Sequence, residues 1–186
     1  MENNKQEFIN NIQNFLDSED KAILVTGTNQ YKKHKLIMAM IDKNFKNANI
    51  LFRTNGMENI SNREFVGWTG LKKKIIKSGE KIRIGMNNYE FDTFNVSRTW
   101  SRTSSKFDFA IVYPIDLMVR ENKFDGIDNL YTNKDIKKIF LVSWTDSNSY
   151  DYEKISKYYN EHFIYDAKEE DIEYHKRVLN LINKIN

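Results

Sequence analysis

Ala22-Ile23-Leu24-Val25-Thr26-Gly27-Thr28-Asn29 is the stretch on which the fold of this chain turns. Its apolar run is too short for a helix, has no in/out alternation, and stops abruptly at small and polar turn formers. That pattern is a strand covered on both faces. On its N-terminal side Phe8, Ile9, Ile12, Phe15 and Leu16 recur at helical spacing, which predicts an amphipathic helix over about residues 4–17, ended by Asp17-Ser18-Glu19-Asp20. On its C-terminal side Leu36, Ile37, Met40 and Ile41 form the apolar face of a helix between Tyr31 and about Phe45, and Asn49-Ile50-Leu51-Phe52-Arg53 is a second strand. Strand, loop, helix and strand in this order open a parallel α/β sheet.

The alternation resumes further along. Phe107 to Tyr113 is a buried strand closed by Pro114, and Asp116 to Arg120 begins a helical or irregular crossover. Ile139-Phe140-Leu141-Val142-Ser143-Trp144 is the next strand, Ile155, Tyr158 and Tyr159 mark a helix, and Phe163-Ile164-Tyr165 is a last short strand. The final helix runs from about Glu170, with Ile172, His175, Val178, Leu179 and Ile182 on one face. Between the two series, Leu71, Ile75 and Ile76 suggest a short helix. Lys81-Ile82-Arg83-Ile84, Gly85-Met86-Asn87-Asn88 and Tyr89-Glu90-Phe91-Asp92 read as a β-hairpin at a sheet edge or in a flap. The expectation is one α/β domain over residues 1–186, a three-layer sandwich with a mainly parallel five-stranded sheet and a β-hairpin inserted around Lys81–Phe94. In such sheets ligands bind beyond the carboxyl ends of the strands, which marks Thr26 to Lys33, Arg53 to Gly56, Pro114 to Asp116, Thr145 to Ser147 and Asp166 to Lys168 for scrutiny.

Composition sets outer bounds. A chain of 186 residues, 40% apolar, with 29 basic and 26 acidic side chains, is long enough for one sizeable core and too hydrophobic for disorder. No apolar run approaches the roughly 18 residues of a membrane span, the polar start Met1-Glu2-Asn3-Asn4-Lys5 lacks the core of a secretory signal, and no linker or repeat divides the chain. The absence of cysteine excludes disulfides, thiolate metal sites and cysteine nucleophiles, and makes a reducing cytoplasm the expected compartment. No membrane partner is expected.

Gly27-Thr28-Asn29-Gln30-Tyr31-Lys32-Lys33-His34 connects the first strand to the first crossover helix. A phosphate loop places G-x-x-x-x-G-K-[ST] here, because its glycines let backbone N–H groups curl around phosphate, its lysine reaches the terminal phosphates and its hydroxyl holds magnesium. Gly27 stands at the first glycine and Lys33 at the lysine; Lys32 replaces the second glycine and His34 the hydroxyl. In placement and strand–loop–helix topology the chain resembles the P-loop NTPase superfamily, with a degenerate motif. The resemblance implies a nucleotide site at Gly27, Thr28, Asn29, Gln30, Lys32 and Lys33, with ATP or GTP as candidate ligand. It also implies an acidic magnesium partner just after the Phe109–Tyr113 strand, where Asp116 is nearby but displaced by Pro114 and Ile115. A side chain at the second glycine obstructs the curl, and neutral imidazole is a poor ligand for magnesium. The expected function is therefore nucleotide or phosphate binding at most, with weak or no hydrolysis. The plainer account is that Gly27 turns the chain while Lys32, Lys33 and Lys35 solvate the next helix.

A second functional account rests on charge. Residues 63–106 carry ten basic side chains against four acidic ones, interleaved with Trp68, Tyr89, Phe91, Phe94 and Trp100. Lys72, Lys73, Lys74, Lys77, Arg83, Arg98 and Arg102 could neutralise phosphates beside stacking surfaces, making this segment a candidate nucleic-acid or protein interface on an α/β scaffold. A solvated surface gives the same composition. The remaining chemistry is thin. His34, His162 and His175 are too dispersed for a zinc site, and His175 reads as a satisfied, partly buried side chain on the final helix. Asp92, Asp108 and Asp116 with Lys106 lack the spacing of a metal-dependent nuclease, and no G-x-S-x-G elbow occurs. No catalytic residue and no metal ligand is assigned.

Overall fold

The structure, a computed structural model, describes residues 5–71, 75–145 and 150–184. Helix α1 (Lys5–Asp17) leads into β1 (Ala22–Thr26), which is buried along its whole length; α2 (Lys33–Asn44) then returns the chain to β2 (Asn49–Thr54). After a segment with short 3-10 turns come β3 (Ile82–Ile84), β4 (Asn87–Thr93), the 3-10 segment Ser97–Arg102 and β5 (Lys106–Val112). Helices α3 (Asp116–Glu121) and α4 (Asp125–Thr132) precede β6 (Asp135–Val142). The chain finishes with a 3-10 segment Tyr152–Tyr158, β7 (Glu161–Ile164) and α5 (Ile172–Lys184).

The strands form one sheet in the order β3-β4-β2-β5-β6-β1-β7, parallel throughout except for the β3–β4 pair. Strand alternation divides the core between its two faces. Ile23 and Val25 join α1, α2 and the segment after β2, including Ile60 and Val66. Ala22 and Leu24 face the other way with Met118, Val119, Ile127 and Leu130 from α3 and α4. Helices on both faces of a mainly parallel sheet make the three layers the sequence implies.

The strand count is the correction: the sheet has seven strands, not five. The hairpin is present, but it is no accessory. β4 pairs in parallel with β2 from Asn49↔Asn88 to Thr54↔Thr93, and lies inside the sheet with only β3 beyond it. Its alternation sets two acids, Glu90 and Asp92, among apolar residues. Both are buried: Glu90 accepts hydrogen bonds from the Ser104 N–H (2.8 Å) and hydroxyl (2.6 Å), and Asp92 meets Arg53. Two smaller expectations also shift. The helix marked by Ile155 is 3-10, and α4 carries no clear sequence signal. Lys72, Lys73 and Lys74 of the helix proposed around Leu71–Lys77 lie outside the described residues, and Leu71 and Ile75 to Lys77 are not helical.

Arg53 on β2 and Asp92 on β4 are register partners and both fully buried. The guanidinium makes a two-point contact with the carboxylate (2.7 Å each), donates to the Gly126 carbonyl (2.5 Å) and to Asn129 (3.0 Å), and lies 5.1 Å from the Trp100 ring centroid. Removing one member strands a buried charge. Arg53→Met or Asp92→Asn should therefore cost about 3–5 kcal/mol in urea unfolding, whereas the paired change Arg53→Met with Asp92→Leu should recover much of that loss. A single-variant loss below about 1 kcal/mol would show that the pair does not hold the sheet.

Candidate functional site

Parallel sheets expose ligand-binding crevices where neighbouring strands send their connections to opposite faces. β2 and β5 meet this condition. The chain leaving β2 packs on the α1–α2 face, and the chain leaving β5 enters α3 and α4 on the other. Beyond their carboxyl ends is a cavity of about 400 Å3. Tyr31, Phe65, Tyr113 and Trp144 supply aromatic surface, and Asn55, Asn59 and Asn62 supply amides, with Glu64 and Pro114 completing the lining. The Tyr31 and Trp144 rings meet as a corner (centroids 6.1 Å apart, 57° between planes), as do Phe65 and Tyr113 (5.4 Å, 64°). Among the described residues, none that lines it is cationic. Lys35, whose ammonium lies 5.9 Å from the Trp68 ring, is destabilised as a cation by partial burial, an effect that Glu64 opposes.

The loop singled out by the sequence adjoins this crevice but is folded back on its own chain. Gly27 adopts φ +113°, and a Cβ there would collide with the backbone of Tyr165, so its glycine is required by close packing. The amides expected to face phosphate already have acceptors. Thr28 N–H donates to Asp166 Oδ1 (2.8 Å), Asn29 N–H to the Tyr165 carbonyl (3.2 Å), and Gln30 N–H to the Thr28 carbonyl (2.9 Å). The Thr28 hydroxyl accepts from Ala167 N–H (3.0 Å) and shares a 2.7 Å hydrogen bond with His175 Nδ1, which gives that buried histidine its partner. The Asn29 side-chain Nδ2 is buried with no partner among the described residues. Lys32 is paired with Glu170 at 2.5 Å, and Lys33 is wholly buried, its ammonium donating to the carbonyls of Gly27 and Trp144 (3.3 Å to the latter).

The positions that the P-loop resemblance assigns to magnesium are occupied by packing. His34 is fully buried and stacked on Tyr113 at the end of β5 (centroids 4.0 Å apart, 25°). Its Nε2 lies 3.0 Å from the Phe65 carbonyl, which can only accept, so this nitrogen carries the proton and Nδ1 is left without a partner among the described residues. Burial pushes its pKa down to about 3, keeping the ring neutral. Asp116 accepts N–H bonds from Trp144 (2.7 Å) and Thr145 (3.0 Å), and so fixes the start of the loop that carries one crevice wall. Burial raises its pKa to about 6 against the opposing effect of those two bonds and of Lys33. Tyr31, Asn55 and Pro114 fall within stretches that the strand-end rule marks for scrutiny. Asn59, Asn62, Glu64 and Phe65 come from the irregular segment after β2, where no periodicity signals a site.

The basic segment is more one-sided than its sequence suggests. Two of its four acids, Glu90 and Asp92, are buried, while Lys77, Arg83, Arg98 and Arg102 are exposed. Gly79 packs against the backbone of Arg102 and Ser78 donates to the Thr99 carbonyl (2.9 Å), which brings the Lys77 turn onto the segment bearing Arg98 and Arg102. Arg83 sits apart on edge strand β3, bonded to Asn47 (2.8 Å), and Lys72, Lys73 and Lys74 lie outside the described residues. The acids weighed as a nuclease set have separate partners: Asp92 pairs with Arg53, Asp108 with Lys137 (2.8 Å), and Asp116 with the Trp144–Thr145 amides.

No protein-family model, curated protein or solved structure matches this chain significantly. Among the described residues, no helix is long and apolar enough to cross a membrane.

His34 and Asp116 give opposite pH dependences. A histidine with a lowered pKa favours the fold above about pH 6.5 and loses that contribution on acidification; an aspartate with a raised pKa penalises the fold above about pH 6 and is relieved below about pH 4. Between about pH 6 and pH 4 the two partly cancel. Asp116→Asn should consequently make the acid loss of stability steeper than in the wild type, as read from urea midpoints across this range. Parallel profiles for the two proteins would refute the assignment.

Proposed function

We propose that this chain is a P-loop-like α/β protein that binds a nucleotide or phosphate-bearing ligand without turning it over. The observation that carries the reading is that the loop already holds an anionic oxygen, that of Asp166, on the Thr28 N–H, close to where the buried Lys33 ammonium meets the Gly27 carbonyl. A loop amide that receives a carboxylate can receive a phosphate oxygen when the carboxylate withdraws. The internal acceptor must be displaced, so binding is weak. His34 puts a buried, neutral imidazole where the motif has its Ser/Thr hydroxyl, and the Tyr113 hydroxyl beside it donates to the Gln30 carbonyl (3.2 Å), which argues against metal-assisted hydrolysis.

Calorimetric titration of ATP and GTP, with and without magnesium, tests this directly. Weak binding independent of magnesium is expected, lost in Lys33→Ala and tightened about tenfold in Asp166→Asn, with no phosphate release above background. Absence of binding in both the wild type and Asp166→Asn would remove the reading.

A second reading is favoured by the burial of Glu90 and Asp92, which leaves Lys77, Arg98 and Arg102 on a cationic surface suited to nucleic acid or an acidic protein. Single-stranded oligonucleotide binding that falls steeply with salt, and weakens in a combined Arg98→Ala/Arg102→Ala variant while Lys33→Ala leaves it intact, would establish it in preference to the first.

A further inference from the structure

We infer that the crevice beyond β2 and β5 is a nucleobase site, with guanine as its best match. This builds on the nucleotide reading above but places recognition in the aromatic crevice, beside the loop. A group that settles against Tyr31 and Trp144 meets two aromatic faces set at 57°, a corner in which a flat ring stacks on one face and abuts the other. Asn59 and Asn62 bring amide donors and acceptors to the same lining, one Asn59 N–H being already given to Asn55 Oδ1 (3.1 Å), and Glu64 supplies acceptors alone. Among the described residues no lysine or arginine lines the crevice, which disfavours a phosphate group within it.

The carboxylate sets the preference among bases. Its two oxygens match an edge with two adjacent donors, which guanine presents at N1–H and N2–H2. Adenine offers one donor beside an acceptor, leaving a carboxylate oxygen facing a lone pair. An amide N–H2 from Asn59 or Asn62 completes the pattern by donating to guanine O6. Reading one edge by hydrogen bonds while a face stacks on aromatic rings is also how proteins hold an unstacked base of a single strand, so the source can be a free nucleotide or a splayed nucleotide of a nucleic acid.

The test uses the full chain, with intrinsic tryptophan fluorescence and calorimetry. Guanosine should bind, inosine (which lacks the N2 amine) about tenfold more weakly, and adenosine no better than inosine. Trp144→Ala and Glu64→Gln should each weaken guanosine about tenfold. Both side chains are exposed, so unchanged thermal melting checks that the fold is intact. No guanosine binding at millimolar concentration, or equal binding of all three nucleosides that ignores both substitutions, would overturn the inference. Inorganic triphosphate separates it from the loop reading. If GTP binds and triphosphate competes while guanosine does not, the loop reading stands and the base site is wrong. If guanosine binds while triphosphate neither binds alone nor displaces GTP, the base site stands and the loop reading falls. With guanosine binding established, competition by a guanine-containing single strand identifies a splayed base as the source, and competition by GTP alone identifies a free nucleotide.

Discussion

Burying a guanidinium and a carboxylate is expensive unless every polar atom finds a partner, and the Arg53–Asp92 pair recruits partners from four parts of the fold. β2 gives the arginine and β4 the aspartate; α4 gives the Gly126 carbonyl and Asn129; the 3-10 segment gives Trp100 to cover the cation. Thr103 adds a hydroxyl to Asp92 (3.3 Å) and in turn receives Lys134 (2.9 Å). Side chains alternate along a strand, so a one-residue slip of β4 would turn Asp92 to the opposite face and leave Arg53 charged and alone. Specific pairing thus selects the β2–β4 register among arrangements that would bury comparable apolar surface. The carboxyl end of β2, from which Asn55 enters the crevice, inherits its position from that register.

A second constraint holds the opposite half of the sheet. β1 ends at Gly27, whose missing side chain lets the loop lie against the Tyr165 backbone; Asp166, Ala167 and His175 then bind Thr28. α5 is anchored by this contact as well as by its buried Val178 and Ile182. The loop therefore has a structural duty, joining the first strand to the last helix, that operates without ligand. A phosphate entering it competes with these bonds.

The strand–loop–helix series was legible because β1, β2, β5 and β6 are short apolar runs bounded by turn formers, a pattern that double-sided burial imposes directly on sequence. The hairpin strands were legible too, but the interior, parallel place of β4 was not, since its buried acids mimic a solvated face: Asp92 reads as polar until Arg53 is known to lie beside it in space, 39 residues away in sequence. The same blindness to distant partners applies at the loop. Gly27, Lys33 and His34 could be located by register, yet nothing local indicates that Asp166 would reach the Thr28 amide or that Tyr113 would stack on His34. The crevice was visible only as a rule about strand ends, because half of its lining comes from an aperiodic segment.

Lys33 and His34 show how such a fold can separate architecture from phosphate chemistry. Each sits where the resembled motif would place a group facing ligand, yet each is fully buried and contributes to the interior, one by hydrogen-bonding carbonyls of two strand-end loops and the other by stacking on β5. Once these groups face inward, the free surface at the carboxyl edge moves to the aromatic and amide side chains around Tyr31, Asn55 and Trp144. Trp144 is itself held by Asp116 through its backbone N–H, and its carbonyl accepts Lys33. The wall of the crevice and the closed loop therefore share the surroundings of two buried ionisable side chains, Asp116 and Lys33. A ligand that shifts Trp144 must disturb the hydrogen bonds of Asp116 and Lys33, while a ligand that opens the loop must release Lys33 from Trp144. The crevice wall and the loop are therefore joined by hydrogen bonds through that one residue.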